Sequence, residues 1–127
     1  MKRVFVSYDY DNDAFLKEAL VGQAKNEDSP FALADWSVKA HLTGDWKEKA
    51  RTKIRSVDLV IVLCGENTDI ATGVAVEVKI AQEEHIEYFL LKGYAEKTCT
   101  RPTTALSSDK MYRWAWENLK SLVGGAR

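Results

Sequence analysis

Six apolar residues stand in an unbroken run, Leu59-Val60-Ile61-Val62-Leu63-Cys64, and Gly65 ends it. A segment this short and this rich in branched side chains predicts a strand. With no polar face to turn toward water, it has to be covered on both sides, as happens in a parallel sheet with helices packed above and below. The run is therefore expected to be the central strand.

Strand and helix patterns do alternate around it. Val4-Phe5-Val6 predicts a first strand, and Phe31 to Trp36 a second, with Asp35 near its C-terminal end. Between them, Phe15, Leu16, Ala19, Leu20 and Ala24 recur at helical spacing, so a helix is expected from about Asp13 to Lys25 after the capping types Asp9, Asp11, Asn12 and Asp13. Thr43 is expected to cap a second helix whose stripe is Trp46, Ala50, Ile54 and Val57, while Lys47, Lys49, Arg51, Lys53 and Arg55 make its outer side basic. Val74, Val76, Val78 and Ile80 alternate as a strand would, but Ala81-Gln82-Glu83-Glu84 continues in helix formers past ordinary strand length, so a helix from Gly73 to His85 is favoured. Ile86 to Leu91 predicts another strand. In the polar connection from Lys92 to Ser108 the best strand is Thr98-Cys99-Thr100, and Ser108 or Asp109 is expected to cap a last helix with Met111, Ala115, Leu119 and Leu122 on one stripe. Alternation of this kind predicts an α/β fold with a central parallel sheet of four to five strands and helices on both faces. Sites in such sheets form beyond the C-terminal ends of the strands, here in the loops that start at Ser7, Asp35, Gly65 and Lys92.

Length and charge limit the function classes. At 127 residues the chain is expected to be one domain, 1–127, and 18 basic against 19 acidic residues argue against binding to nucleic acid or anionic lipid by bulk charge. No signal-peptide core and no membrane-length apolar run is seen, and two cysteines fit a reducing compartment, so a soluble cytoplasmic protein is expected. Glycine spacing matches no nucleotide-binding motif, and His41 and His85 lack partners at metal-ligand spacing, so no metal site is predicted. Cys64, with nothing basic beside it, is read as a core residue.

Four features leave a choice. The Asp9 to Asp13 cluster serves either helix capping or cation binding as in a phosphoacceptor domain, although the third strand ends on Cys64-Gly65 without the aspartate such a domain phosphorylates. The basic side of the second helix is either solvated or a contact for a phosphate or an acidic partner. Trp36 and Trp46 flank a loop with His41 and Gly44, and are either core edges or aromatic walls for a flat ligand. Glu77, with Val76 and Val78 beside it, is either a partly exposed helix glutamate or a carboxylate of reduced solvation.

Val4-Phe5-Val6-Ser7-Tyr8 with its acidic continuation resembles the first box of a TIR (Toll/interleukin-1 receptor) domain, in the bacterial TIR-like branch that includes the Thoeris antiphage proteins. The strand Asp58 to Leu63, the spacing to Val76-Glu77-Val78-Lys79-Ile80-Ala81, and the ending Tyr112-Arg113-Trp114-Ala115-Trp116-Glu117-Asn118-Leu119-Lys120 extend the resemblance over nearly the whole chain. It implies a flavodoxin-like fold. It also implies that Glu77 corresponds to the glutamate with which catalytic TIR domains cleave the nicotinamide-ribose bond of NAD, with no cofactor beyond NAD as substrate. Ser7, Tyr8 and Asp9, together with Asp35, Trp36 and Trp46 of the next loop, match the active-site surroundings and are carried over as substrate contacts. Gly73-Val74-Ala75-Val76 stand where catalytic members often have a Trp-Cys pair. Further implications are a homo-oligomer completed through the Asp35 to Trp46 loop and a phage-derived trigger. Two functions from different classes follow: an NAD-processing enzyme releasing ADP-ribose or a cyclic or conjugated form of it, and a non-catalytic interaction module working through the second helix and that loop. A phosphoreceiver ranks behind both.

Overall fold

The computed structural model describes residues 1–36 and 45–127. Along the chain run β1 (Lys2–Ser7), α1 (Ala14–Ala24), β2 (Phe31–Trp36), α2 (Trp46–Arg55), β3 (Leu59–Cys64), a 3-10 turn (Thr68–Ile70), α3 (Thr72–Glu83), β4 (Glu87–Lys92), β5 (Met111–Arg113) and α4 (Trp116–Val123). The strands form one parallel sheet in the order β2-β1-β3-β4-β5. This is the flavodoxin-like order, in which the chain first steps outward from β1 to β2 and then crosses back to β3.

All six residues of β3 are buried. The strand pleat divides them between two cores. Leu59, Ile61 and Leu63 join Leu16 and Leu20 of α1 and Leu119 and Leu122 of α4, while Val60, Val62 and Cys64 join Ala50 and Ile54 of α2 and Val74, Val78 and Ala81 of α3. β1 is split the same way, with Val4 and Val6 on the α1 side and Phe5 on the α2 and α3 side. Each fully buried aliphatic side chain contributes roughly 1.5–3 kcal/mol, so the unbroken run that marks β3 in the sequence ties both helical layers to the sheet.

The basic side of α2 meets an acidic partner within the chain. Arg51 pairs with Glu83 at 2.8 Å and Glu84 at 2.6 Å, and Arg55 with Glu84 at 2.7 Å, joining α2 to the end of α3. The two guanidiniums hold the Glu84 carboxyl down to about 2. α3 is a helix, as its Ala-Gln-Glu-Glu continuation predicts, and residue His85 beyond it turns the chain with φ 58°.

Three expectations need correction. Met111 to Arg113 is a strand rather than the start of the last helix, because it pairs in register with Leu90 to Lys92 and sends Met111 to one core and Tyr112 to the other. The helix starts only at Trp116. Thr98 to Thr100 is no strand; the Thr100 N–H donates to the Gly65 carbonyl at 2.8 Å and pins the β4–β5 connection over the end of β3. Phe15 and Ala19 leave the predicted stripe of α1, both exposed and Phe15 to 76%, so Leu16 and Leu20 are the residues it buries. Thr43 lies outside the described residues, and Asp45 immediately precedes α2. Among the described residues, no helix is long and apolar enough to cross a membrane.

Candidate functional site

β1 and β3 are neighbours whose chain continuations leave in opposite directions, and the crevice beyond their C-terminal ends is where sheets of this order bind ligands. Ser7 ends β1, and the pleat turns it toward the α2 and α3 side. There Glu77 falls on the core-facing stripe of α3 with Val74, Val78 and Ala81, three or four residues apart. Both side chains are fully buried, and the Ser7 hydroxyl donates to Glu77 Oε1 at 2.7 Å. A glutamate on an otherwise apolar stripe is thus fixed against the end of β1.

Tyr8, the next residue, turns to the opposite core and is 2% exposed. Burial, with Tyr10 and Glu77 nearby, pushes its hydroxyl up to about 12, so it stays protonated at neutral pH. Its ring tilts against Tyr10 at 6.0 Å between centroids. Asp9 organises the turn after β1: its Oδ1 accepts the Asp11 N–H at 3.2 Å, its Oδ2 accepts from the Asn12 amide at 2.7 Å, and its carbonyl accepts the Asp13 N–H at 2.8 Å. Opposite this turn stands the start of α3, and the two walls enclose a cleft of about 410 Å³ lined by residues 8–12, Asp9 and Asp11 among them, on one side and by residues 70–74 on the other. Among the described residues no side chain caps α3, and its first turn carries no acid, so its first N–H groups leave this wall electropositive. Glu77 lies one helical turn below Gly73, outside the cleft lining.

Ser7, Glu77, Tyr8 and Asp9 are thereby gathered at one end of the sheet. Trp46 is set apart: it packs on the α2 and α3 core and contributes nothing to the cleft lining. Asp35 and Trp36 pair through their backbone with Phe5 and Val6, while their side chains and the loop that follows lie outside the described residues. The substrate contacts expected from Asp35 and Trp36, and the homo-oligomer expected through the loop after them, fall on side chains outside the described residues.

The expectation that the acidic cluster caps α1 is corrected. Asp13 precedes the helix but makes no side-chain cap bond. Its carboxyl is 2% exposed and turns inward, accepting the Tyr94 hydroxyl at 3.2 Å on Oδ1, with no hydrogen-bond partner for Oδ2 among the described residues. Gly65 leaves it room, since a Cβ added there would run into that carboxyl. Burial raises the Asp13 pKa, against the lowering effect of Tyr94. The acid beside the end of β3 thus comes from the β1–α1 turn, while β3 itself ends on Cys64, whose thiol burial pushes up to about 12. Sequence reading missed the far wall of the cleft, Ile70 to Gly73. The available signal was Thr68, fully buried, whose hydroxyl accepts the Gly65 N–H at 2.8 Å and sets the course of the chain into α3.

No curated protein matches the chain. Residues 5–93 match the family described as Thoeris protein ThsB, TIR-like domain, a span that runs from the second half of β1 through β4 and holds the Ser7–Glu77 pair and both walls of the cleft. With the flavodoxin-like strand order in place and well over half its length matched, the chain belongs to the TIR-like domain family of the Thoeris protein ThsB.

Proposed function

We propose that the chain processes NAD in antiphage defence signalling, with the Glu77 carboxylate driving cleavage of the bond between nicotinamide and ribose. Membership of the Thoeris TIR-like family suggests the defence context. The observation that carries the catalytic assignment is the placement of Glu77: a fully buried glutamate at the β1/β3 crevice, with one oxygen oriented by Ser7. Nicotinamide leaves as a neutral molecule, because the electron pair of the broken ribose–nitrogen bond cancels the ring's positive charge. Positive charge then collects on the ribose, and a carboxylate shielded from water stabilises that oxocarbenium-like state far better than a solvated one. Water attacking the sugar gives ADP-ribose and releases a proton, and a different nucleophile gives a cyclic or conjugated product. The uncapped start of α3 suits the pyrophosphate of the same substrate.

Complete burial means that substrate reaches Glu77 only when the cover over it moves. This fits the expectation that assembly or a phage-derived trigger completes the site. It equally favours a second reading, in which the Ser7–Glu77 bond is a structural tie and the domain is a non-catalytic signalling module. The two are separated by mass spectrometry of NAD incubated with concentrated protein, alone and in lysate from phage-infected cells, wild type beside Glu77→Gln. Nicotinamide release in the wild type and its loss in the variant support the enzyme. Intact NAD in every sample, or equal release by both proteins, overturns it.

A further inference from the structure

A groove of about 300 Å³ runs over the outer side of α3, between α2 and the β4–β5 connection, whose Thr104 hydroxyl donates to the Ala75 carbonyl at 2.6 Å. Ala75, Val76 and Ile80 give it an apolar floor, and Arg51 and Glu83 meet across it as an ion pair. Both helices cross between parallel neighbours on the same side of the sheet, so they run in the same direction. Lys47 and Lys79 stand one turn before Arg51 and Glu83, and both line the groove. Each is exposed and forms no ion pair among the described residues. Residues 37–44, which lead toward α2, contain no acid that could answer them.

The complementary surface lies beside the groove on the same chain. Ile70, in the turn before α3, is 75% exposed at the rim of the cleft, with Asp69 next to it and Asp11 on the opposite wall. Both carboxylates are exposed and make no ion pair among the described residues. Singly exposed apolar residues are common on protein surfaces; this one is set apart by the groove that matches it in polarity and charge. Thr72 lines both the cleft and the groove, so Ile70 and the groove lie on either side of it. That adjacency fixes a symmetry. A two-fold axis passing beside Thr72 brings each Ile70 over the other copy's groove and closes both contacts at once.

We propose that the chain forms a two-fold dimer in which the Asp69–Ile70 turn of each copy seats in the α2/α3 groove of the other, the isoleucine on the apolar floor and the aspartate against Lys47 and Lys79. The pairing does not depend on the chemistry at Glu77. Sedimentation velocity of the full chain at rising concentration, in low and high salt, tests it. The expected result is reversible exchange between monomer and dimer that weakens as salt rises. Ile70→Ser and Lys79→Glu, both at exposed positions, should each raise the dissociation constant at least about tenfold. Asp69→Lys should also weaken pairing by itself, yet recover at least about fivefold when combined with Lys79→Glu in one chain, because the charges are then exchanged. A monomer at every concentration up to about 1 mM, a dimer indifferent to Ile70→Ser, a double variant that pairs no tighter than its parents, or growth into longer assemblies overturns the proposal.

Discussion

Glu77 and Asp13 are two carboxyls at the same end of one sheet, both almost wholly removed from water. Glu77 is met by a hydroxyl on the adjacent strand at 2.7 Å, the shorter and stronger contact. Asp13 receives a longer bond from Tyr94 at 3.2 Å and leaves Oδ2 without a hydrogen bond among the described residues, in space that exists because residue 65 is glycine. The first arrangement fixes an oxygen against the end of β1, one helical turn below the cleft; the second wedges an acid among the β1–α1 turn, the end of β3 and the β4–β5 connection. Equal burial therefore hides unequal surroundings: the two carboxyls differ in what orients them and in the space they border.

The contrast breaks most sharply in activity. Glu77→Gln is expected to lower nicotinamide release at least about 100-fold, while Asp13→Asn changes it less than about threefold, both read from NAD turnover at equal concentration. Stability should invert that ranking at the second site. Gly65→Ala is expected to cost about 2–3 kcal/mol in urea denaturation, as overpacking against a buried group does, and Asp13→Ala in the same chain should recover part of the loss. At the first site, Ser7→Ala should cost about 1–2 kcal/mol by removing one hydrogen bond to a buried carboxyl, with a drop in turnover as well.

A smaller effect is expected from pH. Burial lifts the folded-state pKa of Asp13 above its ordinary 3.8, so the folded chain keeps that proton to higher pH than the unfolded chain does. The destabilisation is absent below 3.8, grows as pH rises through the folded value, and is complete above it. Asp13→Asn should remove this dependence. The stability difference between variant and wild type should shift in favour of the variant from acid to neutral pH, and a flat difference would mean that the carboxyl is not desolvated.

The sheet was legible in the sequence where burial is two-sided, since Leu59 to Cys64 can be little else. Glu77 was legible as an oddity, one acid on an apolar helix face, and it took the resemblance to give it a role. β5 was not legible: three residues carry no usable period, and Met111 with Ala115 copies the spacing of a helix. Only the pairing with β4 reveals it. The inward turn of Asp13 was hidden for a related reason, because an aspartate just before a helix is read locally as a cap, whereas Tyr94 and Gly65, which decide its direction, are distant in sequence.

The end of β3 also has a practical side. With its thiol fully enclosed and pushed up to about 12, Cys64 offers no thiolate to an alkylating reagent, and Cys99 is half-buried near the surface. The folded chain thus presents one cysteine for labelling out of two. A fluorophore or spin label placed there sits on the connection between β4 and β5, beside the point where Thr100 holds the end of the central strand, and reports on that end of the sheet with no need to remove the second thiol.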